Sequence, residues 1–278
     1  MRACVIALAA LLPFFPSNSY GWHAKTHKYL AQRAAEFLVD KEEGDFYKRH
    51  IDDLLRGAVE ADSGWRNTKH HITFLNGEVY SDVAARFAEE LGEEAVDIIH
   101  DARIKGHVTE EEETEFAKIC GYIVHVITDI GNSYHVIWGE DNSEHGKYES
   151  GVDNTVTMTR NGDLESRGFR VNFDGRMRGG VDPYNAVMEV AETTYFGSVT
   201  ILPAEDIERE METNNSDAET WNGEVRKSTK MSMRKATNVA AEVLSQLHKR
   251  AFFDPLPDTT DIPDTTILQT ETTKQTQE

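Results

Sequence analysis

Cysteine is nearly absent: two occur in 278 residues, so no disulfide framework can hold the chain together. Cys4 falls in the apolar N-terminal stretch, and once that stretch is removed Cys120 stands alone, which excludes an intrachain bridge. Stability must then come from a packed core and, where side chains allow it, from bound metal. Basic residues are also scarce, with 29 Lys and Arg against 49 Asp and Glu and a formal charge of −20. That balance excludes a protein that grips polyanions by bulk electrostatics, but not a local cationic centre made by metal ions. Long apolar runs are missing as well: the one from Ala3 to Phe15, about 13 residues, is too short to span a bilayer comfortably.

The opening MRACVIALAALLPFFPSNSYG carries one positive charge, an apolar run, a break at Pro16–Ser19 and small residues Ser19 and Gly21 ahead of Trp22. This is the pattern of a secretory signal peptide over residues 1–21, cleaved between Gly21 and Trp22. A soluble secreted or periplasmic product is expected. Residues 254–278 are Thr- and Pro-rich with almost no large apolar side chains, the composition of a disordered polar tail. A single domain over 22–253 remains.

Within it the periodicity is helical. Residues 24–39 place Leu30, Ala34, Phe37 and Leu38 on one face with His27 a turn before them, and Asp45–Val59 repeats the pattern. Tyr80–Gly106 predicts one or two helices with a Glu-rich solvated face. Thr109 with Glu112 forms a capping box that starts a long central helix. Pro183 to about Ser198, Pro203–Met211 and 218–252 complete an all-α bundle, with Trp221 and Met231 among the core candidates of the last. Between them, Thr155–Thr159 and Phe169–Phe173, split by Asn161-Gly162, predict either a short β-hairpin or a long ordered loop.

The chemistry concentrates in Gly121–Glu149, GYIVHVITDIGNSYHVIWGEDNSEHGKYE. His125 with Asp129, and His145 with Glu149, are each four apart, so on a helix each pair projects from one face with its ligand atoms converging. His135 sits between them. Phe116–Ile130 is apolar nearly all round, so a buried imidazole and carboxylate there need partners, which a metal would supply. Asp62, His70 and His71 fall in the polar turn GAVEADSGWRNTKHH.

The set Trp22, His27, Asp62, His70 or His71, His125, Asp129, His135, His145 and Glu149 resembles the ligand set of the zinc-dependent phospholipases C of the bacterial alpha-toxin type, whose site is shared with single-strand-specific nucleases. HVITDIGNSYH and HGKYE match the family's H-xxx-D-xxxxx-H and H-xxx-E spacings, and WHAKTHKYLAQRA resembles its opening. VEADSG resembles its proline-aspartate turn, with Ala61 in place of proline. The resemblance implies three Zn²⁺ ions in an all-helical fold. Asp62, His70 or His71, His125 and one oxygen of Asp129 would hold the first, and His135, His145 and Glu149 the second. The α-amine of Trp22, His27 and the other oxygen of Asp129 would hold the third. A gapless match of HHITFLN to the family favours His70. Asp62 would double as general base or water orienter.

The expected activity is hydrolysis of a glycerophospholipid to diacylglycerol and a phosphorylated head group, by a monomer in peripheral contact with membrane. Trp65, Tyr134 and Trp138 lie near the ligands, where each is a candidate for lipid contact but on its own fits the core better. Ser63 stands where the family often carries an aromatic residue for choline. The alternative is a nuclease and 3′-nucleotidase on the same metals, with nucleic acid as its partner.

Overall fold

The computed structural model describes residues 22–62, 69–137, 143–201, 204–214, 218–221 and 223–256. In chain order the elements are α1 (Ala24–Glu36), α2 (Glu42–Arg49), α3 (Ile51–Glu60), β1 (Thr73–Leu75), β2 (Glu78–Ser81), α4 (Val83–Ile104), α5 (Glu110–Ile130), α6 (Tyr134–Ile137) and α7 (Ser143–Asp153). They continue as β3 (Val156–Met158), β4 (Leu164–Ser166), α8 (Pro183–Ile201), α9 (Ala204–Asn214) and α10 (Gly223–Phe253). The fold is an all-α bundle carrying two small antiparallel hairpins, β1–β2 and β3–β4.

Helix α5 is its axis. Thr109 Oγ1 accepts from the Glu112 amide at 3.3 Å and the Glu112 carboxylate accepts from the Thr109 amide at 2.8 Å, closing the capping box expected there. From Phe116 to Ile130 every residue except Lys118 is buried, under α1, α3, α4, α8 and α10. Ile123, Ile127 and Ile130 are fully buried there, and trimming any one to Ala costs about 2–5 kcal/mol. The approach of α3 is unusually close because two glycines face each other: a Cβ at Gly57 would collide with the Lys118 carbonyl, and one at Gly121 with the Leu54 carbonyl. That contact places the α3 backbone beside the His125 side chain. A second core around Trp22, Tyr148, Phe169 and Trp221 fixes the start of the described chain against the C-terminal half of α5.

Several expectations are corrected. The single helix over Asp45–Val59 is two, separated at His50 (φ −103°, ψ 26°), whose ring is buried between Asp53 and Glu113. Tyr80 lies in β2, and one helix, α4, follows it. The second strand of the 155–173 region is Leu164–Ser166 and not Phe169–Phe173, although Phe169 and Val171 are buried. Met231 is 54% exposed rather than core, and Trp221 precedes α10. Ser63, Trp65, Trp138, the expected leader over 1–21 and residues 257–278 of the expected tail lie outside the described residues.

Candidate metal centre

Asp129, fully buried on α5, is the hub. Its Oδ2 lies 3.1 Å from His125 Nε2 and 3.3 Å from His70 Nδ1. Its Oδ1 lies 3.2 Å from both His27 Nε2 and the Trp22 backbone nitrogen. One carboxylate therefore divides its two oxygens between two groups of donors. Asp62, just after α3, completes the first group: its Oδ1 is 3.4 Å from His125 Nε2 and 3.9 Å from His70 Nδ1. With a side chain 14% exposed it is the most accessible member of that group.

The ring orientations are fixed from behind. His125 Nδ1 donates to the Ala58 carbonyl at 2.8 Å, which the close α3–α5 contact makes reachable, and this leaves Nε2 to face Asp129. His27 enters from α1 with Nδ1 3.3 Å from Thr128 Oγ1 and its ring stacked 3.9 Å from that of His125. Trp22 is locked by its indole Nε1–H donating to the Thr128 carbonyl at 2.9 Å.

A second group lies beside the first. His135 on α6, with His145 and Glu149 one turn apart on α7, brings one ligand atom from each residue within 4.8 Å of the others, as do Asp62, His70, His125 and Asp129. Glu149 Oε1 is 2.6 Å from His145 Nε2 and 3.7 Å from His135 Nε2. The two groups are tied together, because His135 Nδ1 donates to the His70 carbonyl at 3.0 Å and the Ile72 amide donates to the His135 carbonyl at 3.1 Å. Of the adjacent histidines, His70 joins the first group; His71 stacks on the His135 ring at 4.6 Å. Tyr134, a candidate for lipid contact that fits the core better, is 4% exposed and stacked 4.8 Å from His145, so it belongs to the core.

Burial dominates the electrostatics. It pushes His27, His70 and His135 below the ordinary histidine range and His145 down to about 4, so these rings are neutral and able to ligate. Burial would lower His125 too, but Asp129 and Asp62 beside it raise it well above that range. Burial also opposes ionisation of Asp129 and Asp62, and the charge of His125 overcomes it in both. At Glu149 burial prevails, reinforced by Asp129 and Asp62, and the carboxyl is held well above its usual range.

Among the described residues, His27 Nε2, His70 Nε2, Asp62 Oδ1, Asp129 Oδ2, His135 Nε2 and Glu149 Oε2 are buried with no hydrogen-bond partner. So many orphaned donors and acceptors in one place are costly unless something binds them. Neutral imidazoles mixed with carboxylates in tight groups suit Zn²⁺. The profile of the zinc-dependent phospholipase C family matches residues 26–202. The chain belongs to that family. The matched span holds every candidate except Trp22, four residues ahead of it. A comparison with curated proteins gives no match.

For a member of the zinc-dependent phospholipase C family the fit is direct: buried, partnerless ligand atoms stand where a zinc-binding donor set is needed. One participant was missed in the sequence. Asn132, fully buried between α5 and α6, donates from Nδ2 to Glu149 Oε1 at 2.8 Å, lies 3.2 Å from His145 Nε2, and accepts from the Tyr134 amide at 3.1 Å. Its signal was an Asn in the short link DIGNSYH, where the chain must reverse between two ligand-bearing helices. A further grouping, His50 with Glu110 and Glu113, lies at the far end of α5. There His50 already faces Asp53 and Glu113, and Arg49 pairs with Glu113, so it is a structural ion-pair network.

Proposed function

We propose that this protein is a secreted, zinc-dependent phospholipase C that cleaves a glycerophospholipid between glycerol and phosphate, releasing diacylglycerol and a phosphorylated head group. The observation that carries the reading is the pair of buried donor groups tied by the His135–His70 bond, with Asp129 offering its other oxygen to Trp22 and His27. Asp62, His70, His125 and Asp129 would hold one zinc, and His135, His145 and Glu149 a second. His27, Asp129 and the amine freed by cleavage before Trp22 would hold a third. Zinc in such sites supplies Lewis-acid polarisation of phosphoryl oxygens and acidifies water.

The protein's own groups then have defined tasks. Asp62, held ionised below the usual carboxylate range by His125 despite its burial, can accept a proton from an attacking water at its more exposed edge. Asp129 balances cationic charge at the centre of the site. Asn132 holds Glu149 Oε1 in place. The Ala58 and His70 carbonyls fix His125 and His135 so that each presents Nε2 inward. The test is turnover of phosphatidylcholine beside single-stranded DNA, each with zinc and with chelator. Head-group release that chelator abolishes and zinc restores supports the reading. Cleavage of DNA alone replaces it with the nuclease, and turnover of neither removes the enzyme reading.

A further inference from the structure

We propose that the β1–β2 hairpin is the surface by which this protein docks on a zwitterionic phospholipid layer, with Leu75, Val79 and Tyr80 entering the head-group region. The proposal rests on the phospholipase reading for its purpose, but its evidence is separate. Of the eleven large hydrophobic residues exposed among the described ones, four fall in the nine positions from 75 to 83: Leu75 at 58%, Val79 at 41%, Tyr80 at 75% and Val83 at 43%. A fifth, Phe196 at 48%, is on α8 with its ring 6.3 Å from that of Phe74. Concentration of that kind marks a contact surface, whereas isolated exposed apolar residues do not.

The hairpin is built to project. Asn76 (φ 54°) and Gly77 (φ 85°) form its two-residue turn, both in the left-handed region that such turns need, and a Cβ placed on Gly77 would meet nothing within 4 Å. It is held to α8 through Phe74, in the middle of β1, whose ring stacks 4.2 Å from Tyr195. It also springs from the wall of the metal centre: His70 precedes β1 by three residues, and Ile72 donates to the His135 carbonyl. Seating this tip in a lipid layer brings the candidate site to that layer, where the phosphodiester lies.

Charge selects the kind of surface. Residues 73–83 contain no Lys or Arg; Asp82 accepts from Arg86 Nε and Tyr184 Oη, each at 2.9 Å, which leaves Glu78 as the remaining charge. With −20 overall, the chain is repelled by an anionic leaflet, while a zwitterionic one offers no such barrier. Tyr80 also suits the membrane interface, with an apolar ring and a polar tip.

The experiment compares the zinc-loaded protein with a Leu75→Ser, Tyr80→Ser double variant and with a Val39→Ser, Met158→Ser control, whose sites are as exposed (65% and 72%) but lie elsewhere. Cosedimentation with phosphatidylcholine vesicles is measured beside turnover of soluble bis(4-nitrophenyl) phosphate. Losing two apolar anchors should weaken vesicle partitioning by at least about tenfold, with soluble turnover and circular dichroism unchanged and the control binding like wild type. If the double variant misfolds, each single variant is tested, and each should weaken binding by about threefold or more. Wild type that ignores phosphatidylcholine vesicles, or variants that bind them equally well, overturns the proposal; self-association through these residues without vesicle binding does so in favour of a second copy as occupant. Hairpin-dependent vesicle binding by a protein that cuts only DNA would leave this proposal standing and remove the phospholipase reading. Phospholipid turnover without hairpin-dependent binding would do the reverse.

Discussion

Asp129→Asn and Glu149→Gln are both one-atom changes to buried carboxylates of the candidate metal centre, yet without metal they should act oppositely. Asp129 contacts four nitrogens at 3.1–3.3 Å and is held ionised by His125, which is itself held protonated by Asp129. A depressed carboxyl contributes stability above its unfolded value of 3.8 and loses it as pH falls through the folded value. A raised histidine contributes fully below 6.5 and loses it as pH rises through the folded value. Between about pH 4 and 6.5 the pair therefore contributes in full, and removing one member of a buried pair costs about 3–5 kcal/mol.

Glu149 is the reverse case. Burial, reinforced by Asp129 and Asp62, pushes its carboxyl well above the usual range, so above pH 4.5 the wild type carries a penalty for the proton that burial favours. Gln keeps an Oε1 acceptor for Asn132 and carries no such penalty. Urea denaturation at pH 6 with chelator should show Asp129→Asn losing about 3–5 kcal/mol, and Glu149→Gln equal to or more stable than wild type. On adding zinc the order changes for Glu149→Gln, which has lost a ligand and gains less from the metal than wild type does. Equal losses for the two variants in chelator, or a larger loss for Glu149→Gln, would refute the assignment of charge within the site.

Two further outcomes follow from the geometry. Asn132→Ala frees Glu149 Oε1 and should weaken zinc binding at the His135, His145 and Glu149 group about 10–100-fold in a chelator competition, the usual cost of losing an outer partner of a ligand; unchanged affinity would reduce Asn132 to a turn residue. A chain beginning at Trp22 should bind three zincs by mass spectrometry under native conditions, and one carrying a single extra N-terminal residue should bind two, since a peptide nitrogen is a poor ligand where an amine is a good one. Three in both would remove the Trp22 amine from the site.

The helical bundle and the converging pairs were legible because they depend on spacing within single helices. His125 with Asp129, and His145 with Glu149, need only the four-residue period, and the capping box at Thr109 is local as well. What was hidden depends on encounters between distant segments. The break at His50 follows from Glu113, 63 residues on, which pairs with its ring. The choice of His70 over His71 depends on how the segment before β1 passes Asp129 and α6. The β1–β2 hairpin was overlooked despite the turn signal Asn76-Gly77, because its strands are short and their exposed apolar residues lack the alternation that marks a half-buried sheet. Asn132 escaped because its value lies in reaching Glu149 on another helix.

If the two buried donor groups are zinc sites, anomalous diffraction at the zinc edge from crystals of the zinc-loaded protein will locate metal in both. One peak is expected among Asp62, His70, His125 and Asp129 and another among His135, His145 and Glu149, with a third by His27 when the chain begins at Trp22. Zinc bound elsewhere on the molecule, with no peak in either group, would contradict that assignment.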